Sequence, residues 1–295
     1  MLRQRVGVLG AASLVGESLL PLLVGAGWQV MAYSRRMVNR ANDGRVLWRR
    51  LEAASASHAH PAGEDAAIPF WLCLAPLWVL PDHFPLIEAA GARRIVVLSS
   101  TSRFTKVGSS DTAEQANAAQ LIAGEARLQA WAASRGIEWV ILRPTLIYGH
   151  GRDRNITEIA RLVRRFGFFP LLGKAAGLRQ PVHADDVASA CAAALLSSAA
   201  SNCAYNLSGG EVLPYREMVV RIFAAMHRRP RLVMIPLDAF RLAIRCLRCM
   251  PRYRHWSPAM VERMNRDMVF DHADAARDLN FSPRPFQIAS DDLPA

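Results

Sequence analysis

Gly10, Ser13 and Gly16 follow the apolar run Arg5-Val6-Gly7-Val8-Leu9 at the spacing Gly10-x-x-Ser13-x-x-Gly16. Small residues at that spacing let backbone approach a ligand, and a helix starting at Leu14 would turn its unpaired N–H groups and positive dipole end toward an anion. The chemistry this suits is the grip of a nucleotide pyrophosphate, with Gly7, Gly10, Ser13, Leu14, Val15 and Gly16 as the contact set. Serine stands where a second glycine is usual, and small residues also close strand-to-helix turns that bind nothing.

A second apolar run, Trp28 to Tyr33, ends in Ser34-Arg35-Arg36. At the end of the second strand of a dinucleotide fold, a carboxylate takes the ribose 2′-hydroxyl of NAD, whereas arginine accommodates the additional phosphate of NADP. NADP(H) is the expected cofactor, with NAD(H) second. The alternative is a solvated basic turn, to which Arg40, Arg45, Arg49 and Arg50 would also belong. Cys246-x-x-Cys249 has metal-ligand spacing, but no second ligand pair stands near it, so no metal is expected.

The elements that must hold these residues alternate along the first half. Strands are predicted at Arg5 to Leu9, Trp28 to Tyr33, Val46 to Arg49, Phe70 to Ala75, Arg94 to Ser99 and Glu138 to Arg143. Helices are predicted at Leu14 to Val24, Asp82 to Ala90, Ala116 to Ser134 and Val187 to Ser197, the last with His183 as a turn residue and Asp186 as its cap. Repeated strand-helix order means an α/β fold, a Rossmann-type doubly wound parallel sheet. Its ligands bind at the carboxyl ends of the strands, where Gly10, Arg35, Ala75 and Ser99 to Thr101 fall. The nucleotide-binding domain is expected over 1–150 with 179–208 returning to it, and a smaller, mainly helical lobe over 151–178 and 209–295.

Composition limits the function classes. The 295 residues, 52% hydrophobic, suffice for a large core, and a formal charge of +11 favours anionic ligands. All but two of the 36 basic residues are arginine, Lys106 and Lys174 being the exceptions, and no nucleic-acid motif accompanies them. Glu17 interrupts the apolar N-terminal stretch and no apolar run reaches the roughly 18 residues of a membrane span, while the five cysteines are odd in number. A cytoplasmic location is expected. Arg241, Arg245, Arg248 and Arg252 recur beside Phe240, Ile244 and Leu247 as a basic amphipathic helix, which suits either the inner face of an anionic membrane or an ordinary solvated face.

Several motifs in series resemble one family. Val96-Val97-Leu98-Ser99-Ser100-Thr101, Leu142-Arg143-Pro144-Thr145-Leu146-Ile147-Tyr148-Gly149 and Arg179-Gln180-Pro181-Val182-His183-Ala184-Asp185-Asp186-Val187-Ala188 have the order and spacing of the extended short-chain dehydrogenase/reductases, in their NAD-dependent epimerase/dehydratase branch. Ala204 to Gly210 and Leu279 to Pro283 look like later landmarks of that family, so the likeness spans nearly the whole chain. It implies cofactor contacts through Ala75, Pro76, Ser99, Arg143 and Pro144, a catalytic hydroxyl at Thr101 with Ser100 beside it, and a substrate diphosphate held by Arg179. It also implies a Tyr-x-x-x-Lys pair that moves a proton while a nicotinamide moves hydride.

That pair has no counterpart. With Glu125 in the family's register, Asn117 takes the tyrosine's place and Leu121 the lysine's; no tyrosine lies between Tyr33 and Tyr148. Asparagine can hydrogen-bond a substrate but delivers no proton. Losing positioned acid–base catalysis costs on the order of 10² to 10⁴ in rate. Two readings follow: an oxidoreductase or epimerase acting on a nucleotide-linked or phosphorylated sugar, with Lys106 as substitute donor and His150 near the substrate; or a non-catalytic NADP(H) binder with a structural or sensing role. Homodimers are common where the resemblance points, and the sequence leaves that open.

Overall fold

Short runs of Val, Ile, Leu and Met without polar alternation are suited to strands covered on both faces. In the computed structural model, which describes residues 4–35, 44–51, 67–236 and 263–294, they form one seven-stranded parallel sheet. Arg36, Arg40, the Cys246/Cys249 pair and the arginine segment from Asp238 to Trp256 lie outside the described residues.

The chain runs β1 (Arg5–Leu9), α1 (Leu14–Gly25), β2 (Gln29–Ser34), β3 (Val46–Arg50), β4 (Phe70–Cys73), α2 (Phe84–Ala89), β5 (Arg94–Leu98), α3 (Ser102–Thr105), α4 (Thr112–Arg135) and β6 (Glu138–Pro144). It continues through β7 (Ile147–Tyr148), α5 (Ile156–Phe166), β8 (Phe169–Leu172), β9 (Leu178–Arg179), β10 (Val182–His183), α6 (Ala184–Leu196), β11 (Cys203–Leu207), β12 (Leu213–Pro214), α7 (Tyr215–Ala225) and β13 (Leu232–Ile235) to α8 (Ala273–Leu279). The sheet order is β3-β2-β1-β4-β5-β6-β11. Strand order therefore reverses between β1 and β4, which opens the crevice where such sheets bind ligands.

Two cores flank the sheet. Val15, Leu19 and Leu23 of α1 meet Val187, Cys191 and Ala194 of α6 on one face, and Ile87 of α2 with Leu128 and Ala132 of α4 cover the other. Gly7 is set by the second core: it pairs with Trp71, and a Cβ there would come within 2.6 Å of the indole. Its smallness serves packing in mid-strand. A third core joins α5, α7, β8 and Phe286. Ala275, Leu279 and Phe281, expected in the smaller lobe, pack with the α1–α6 face.

Local chemistry explains the shifted boundaries. The helix expected from Asp82 begins as a 3₁₀ turn at Leu77–His83 containing Pro81, and α2 follows with proline in its first turn. α4 starts earlier than apolar periodicity suggests because the Asp111 carboxylate accepts the N–H groups of Ala113 and Glu114, and it stops at Gly136, φ 64°. α6 starts at Ala184 because His183 is its cap, its ring accepting the N–H of Asp185. Asp186, expected as the cap, lies inside the first turn and accepts from Arg284. β10 pairs with β7 in a separate ladder, so from residues 179–208 α6 and β11 alone return to the main sheet.

Candidate functional site

The turn after β1 has the geometry its spacing predicts. Gly10 has φ +78°, and a Cβ there would stand 2.7 Å from the Ala75 nitrogen, so the turn and the loop after β4 touch backbone to backbone. A Cβ on Gly16 would meet the Ala11 carbonyl oxygen at 2.2 Å. Ser13 caps α1, its hydroxyl accepting the Gly16 N–H at 3.2 Å. That hydroxyl does what a second glycine could not, holding the helix start while Leu14 and Val15 open the first turn. Arg152 reaches over this turn from the lobe, paired with Glu17 and donating to the Ala12 carbonyl at 3.4 Å. Ser34 is buried at the end of β2 and Arg35 is exposed just beyond it, open to solvent on the same sheet edge.

This cradle fits a dinucleotide: a glycine turn that admits no side chain, a capped helix N-terminus and a basic residue at the end of β2, all at the β1/β4 reversal. Gly10, Leu14 to Gly16 and Arg35 would hold it, with Ala75 and Pro76 forming the facing wall. Bound there, a nicotinamide would supply hydride transfer.

Beyond the end of β5 the side chains turn to one another. Glu125 of α4 is buried and receives the Ser99 hydroxyl at 2.5 Å, Arg103 at 2.5 Å and Arg143 through two nitrogens at 3.1 and 2.6 Å. Ser99 and Arg143, expected at the cofactor, thus spend their side chains on a buried carboxylate; Arg143 also lies over the Phe104 ring at 5.4 Å. The anchor places Leu121 one turn and Asn117 two turns before Glu125 on α4. Leu121 is buried, and Asn117 is half-buried.

A cavity of about 530 Å³ opens between this point and the lobe. Ser100, Thr101 and Lys106 border it on the sheet side, and Arg179 and Tyr215 on the lobe side. The Thr101 hydroxyl donates to the Pro144 carbonyl at 3.2 Å, which leaves its oxygen as an acceptor. Lys106 Nζ lies 3.7 Å from Glu114, which also pairs with Arg263 at 3.1 Å. Arg179 is buried and donates to the carbonyls of Leu178 and Arg266 at 2.7 and 2.8 Å, its guanidinium lying over Tyr215. Among the described residues no carboxylate lies within ion-pair distance of it, although Asp267, which accepts the Leu178 N–H at 2.8 Å, attracts its charge from farther away. Burial pushes its pKa down to about 10, so it remains charged at neutral pH. Arg154 adds a further cation and Glu158 the opposing carboxylate, while Leu146, Ile159, Leu162, Met218 and Met264 supply apolar wall.

Residues 84–208 match the model of the NAD dependent epimerase/dehydratase family. The match runs from the start of α2 through β11 and the residue after it. An uncharacterized protein of Sinorhizobium fredii, y4nG, is 28% identical over 66% of this chain and 50% of its own length. The mitochondrial NADH dehydrogenase [ubiquinone] 1 alpha subcomplex subunit 9 of Arabidopsis thaliana is 33% identical over 34% of this chain and 25% of its own. The chain thus spans about half or less of these curated relatives. The solved structure of MoeE5 in complex with UDP-glucose and NAD superimposes with a TM-score of 0.68 at 22% identity, covering 96% of this chain and 94% of that one.

Two residues expected at the substrate stand elsewhere. Asn117 is not among the residues lining the cavity. His150 is likewise not among them: its Nε2 lies 2.9 Å from the Ser18 hydroxyl and 3.1 Å from Asp185, bridging α1 and α6. It has φ 54°, and its N–H donates to Asp292, which also takes His183 Nε2 at 3.1 Å. His150 is therefore a clamp between the glycine-turn helix and the C-terminal segment. The site residues that the sequence reading missed are Glu125, Arg154, Tyr215 and Arg263. Arg263 arrives from far along the chain with no motif to announce it, whereas Tyr215, at the start of α7, follows the Gly209-Gly210 landmark by a few residues.

Proposed function

We propose that this chain binds NADP(H) and acts as an epimerase- or reductase-like oxidoreductase on a phosphorylated, nucleotide-linked sugar, using a proton donor other than the usual tyrosine. Arg179 carries this reading: a buried guanidinium with no carboxylate at ion-pair distance among the described residues, facing a cavity that Thr101 borders from the sheet side. A guanidinium in that state favours an anionic ligand, and its fork suits a diphosphate. The complex of the MoeE5 structure with UDP-glucose and NAD supports the same ligand class. Tyr148, the first tyrosine after Tyr33, is a poor donor, since its hydroxyl is committed to the Gln287 carbonyl at 3.0 Å and burial pushes its pKa up to about 12. Lys106 borders the cavity and remains the proposed donor, with Glu114 holding its ammonium.

The second reading, a non-catalytic NADP(H) binder, is favoured by the buried Leu121 at the lysine place and by the likeness to a respiratory-complex subunit. Titrating the protein with NADPH and with NADH, followed by energy transfer from tryptophan, tests the part common to both. Preferential NADPH binding, lost in Arg35→Ala while NADH binding persists, supports the assignment; an equal effect on the two cofactors sinks it. With UDP-sugars added, turnover abolished in Lys106→Met supports the enzyme reading, and NADPH binding with no turnover on any phosphorylated sugar supports the binder.

A further inference from the structure

We propose that the lobe docks on anionic lipid bilayers through the face formed by the end of α5, residues 166–168 and β13. The occupant is argued from charge and from exposed aromatics. No Asp or Glu lies between Glu158 and Asp185, nor between Glu217 and Asp238, and the structure brings these two carboxylate-free stretches together, β8 pairing in parallel with β13. Arg228 ties them further by donating to the Val163 carbonyl at 3.0 Å, close to the C-terminal end of α5.

α5 is apolar on more than its core face. Ile156, Ile159, Ala160 and Val163 are buried, yet Leu162 and Phe166, one turn apart on another stripe, are 41% and 51% exposed. Phe168, 40% exposed, lies with its ring centre 6.2 Å from that of Phe166. The β8–β13 register pairs Phe169 with Leu232, which places Arg231 beside Phe168 and Val233, also exposed, on the same side of the ladder.

Exposed arginines frame this apolar group: Arg161 and Arg165 on α5, with Arg165 5.2 Å from the Phe166 ring centre, and Arg228, Arg229 and Arg231 in the α7–β13 connection. Exposed aromatic side chains beside arginines match an interface with phosphate head groups outside and acyl chains beneath. Neither stretch adds a carboxylate to this face, Glu158 standing one turn before Leu162 at its cavity end, so the net positive face is attracted to anionic lipid. Leu162 also lines the cavity, so the docking face is continuous with the wall of the candidate site. None of these residues belongs to the arginine segment of 238–256, and the inference stands apart from the proposed reaction.

Co-sedimentation with vesicles of phosphatidylcholine containing about 30% phosphatidylglycerol, and with phosphatidylcholine alone, tests it. The full chain is expected on the anionic vesicles and not on the neutral ones, with Phe166→Ser/Phe168→Ser and Arg165→Gln/Arg231→Gln each weakening partition about tenfold or more. Unchanged NADPH titration and circular dichroism show that the variants are folded. Binding to anionic vesicles that the phenylalanine pair does not alter overturns the proposal, as does absence of vesicle binding. So does a wild-type dimer by light scattering that becomes monomeric in Phe166→Ser/Phe168→Ser, because a second copy would then cover this face.

Discussion

At the scale of single residues, the site is organised by two charges with opposite fates. Glu125 is buried among Ser99, Arg103 and Arg143, and each of the three donates to it. Replacing it with glutamine leaves two guanidiniums short of their counter-charge, and one-sided removal of a buried ion pair costs about 3 to 5 kcal/mol. Because both arginines keep some solvent contact, Glu125→Gln is expected toward the lower end of that range in urea denaturation; a loss under about 1 kcal/mol would mean that the cluster is held by packing. Arg179 has the reverse fate, being secured by carbonyls and free to take an anion. Arg179→Lys keeps the charge but loses the fork, so affinity for UDP-sugars should fall by about tenfold or more while NADPH affinity stays unchanged. Loss of both affinities together would place Arg179 in the fold rather than at the substrate. Arg179 stood out in the sequence only through the family resemblance. Glu125 was legible only as a register landmark, since nothing in a sequence says which arginines will converge on a carboxylate.

At the scale of elements, most of the sheet could be read because buried parallel strands leave continuous apolar runs, and β1, β3 and β5 fall within a residue of their predicted bounds. Helix starts were less legible, since caps depend on which side chain folds back: His183 rather than Asp186 caps α6, and proline divides the segment before α2 into two turns. The glycines separate into two kinds that the sequence does not distinguish. Gly136 ends α4 in the left-handed region with open space around it, whereas Gly16 has ordinary helical backbone and no room for a methyl group. Gly136→Ala is expected to cost about 1 kcal/mol of stability and to leave cofactor binding intact. Gly16→Ala must push the turn off the Ala11 carbonyl, so a cost of about 1 to 3 kcal/mol should come with weakened NADPH binding. If Gly16→Ala lost stability alone, the turn would be a packing device and not a phosphate cradle.

At the scale of the whole molecule, the C-terminal segment is tied to the nucleotide-binding helices by a chain of polar contacts rather than by apolar packing alone. Ser18 of α1 donates to Asp185 at 2.7 Å, His150 bridges the two, and His183 reaches Asp292, which also accepts the N–H groups of His150 and Ala289. Motif spacing places His183 and Asp185 together, but Asp292 joins them from more than a hundred residues away, beyond the reach of any local pattern. Burial pushes the Asp292 carboxyl up, and the hydrogen bonds from His183, Ala289 and His150 outweigh it, holding the group below the usual aspartate range. Asp185 behaves likewise: burial opposes ionisation, and the Ser18 hydroxyl, with His183, His150 and the Arg284 guanidinium close by, favours it more strongly. A carboxyl whose folded pKa is depressed adds stability above its unfolded value of about 4, and that contribution disappears as pH falls through the folded value. The melting temperature of the native chain should therefore drop steeply below about pH 4. Asp292→Asn should melt lower at pH 7, where the ionised carboxylate stabilises the clamp, and show a shallower fall under acid because one of the groups that must be protonated is gone. Parallel melting curves for the two proteins across that range would mean that the Asp292 contacts contribute nothing through charge, leaving shape alone to hold the terminal segment on the sheet.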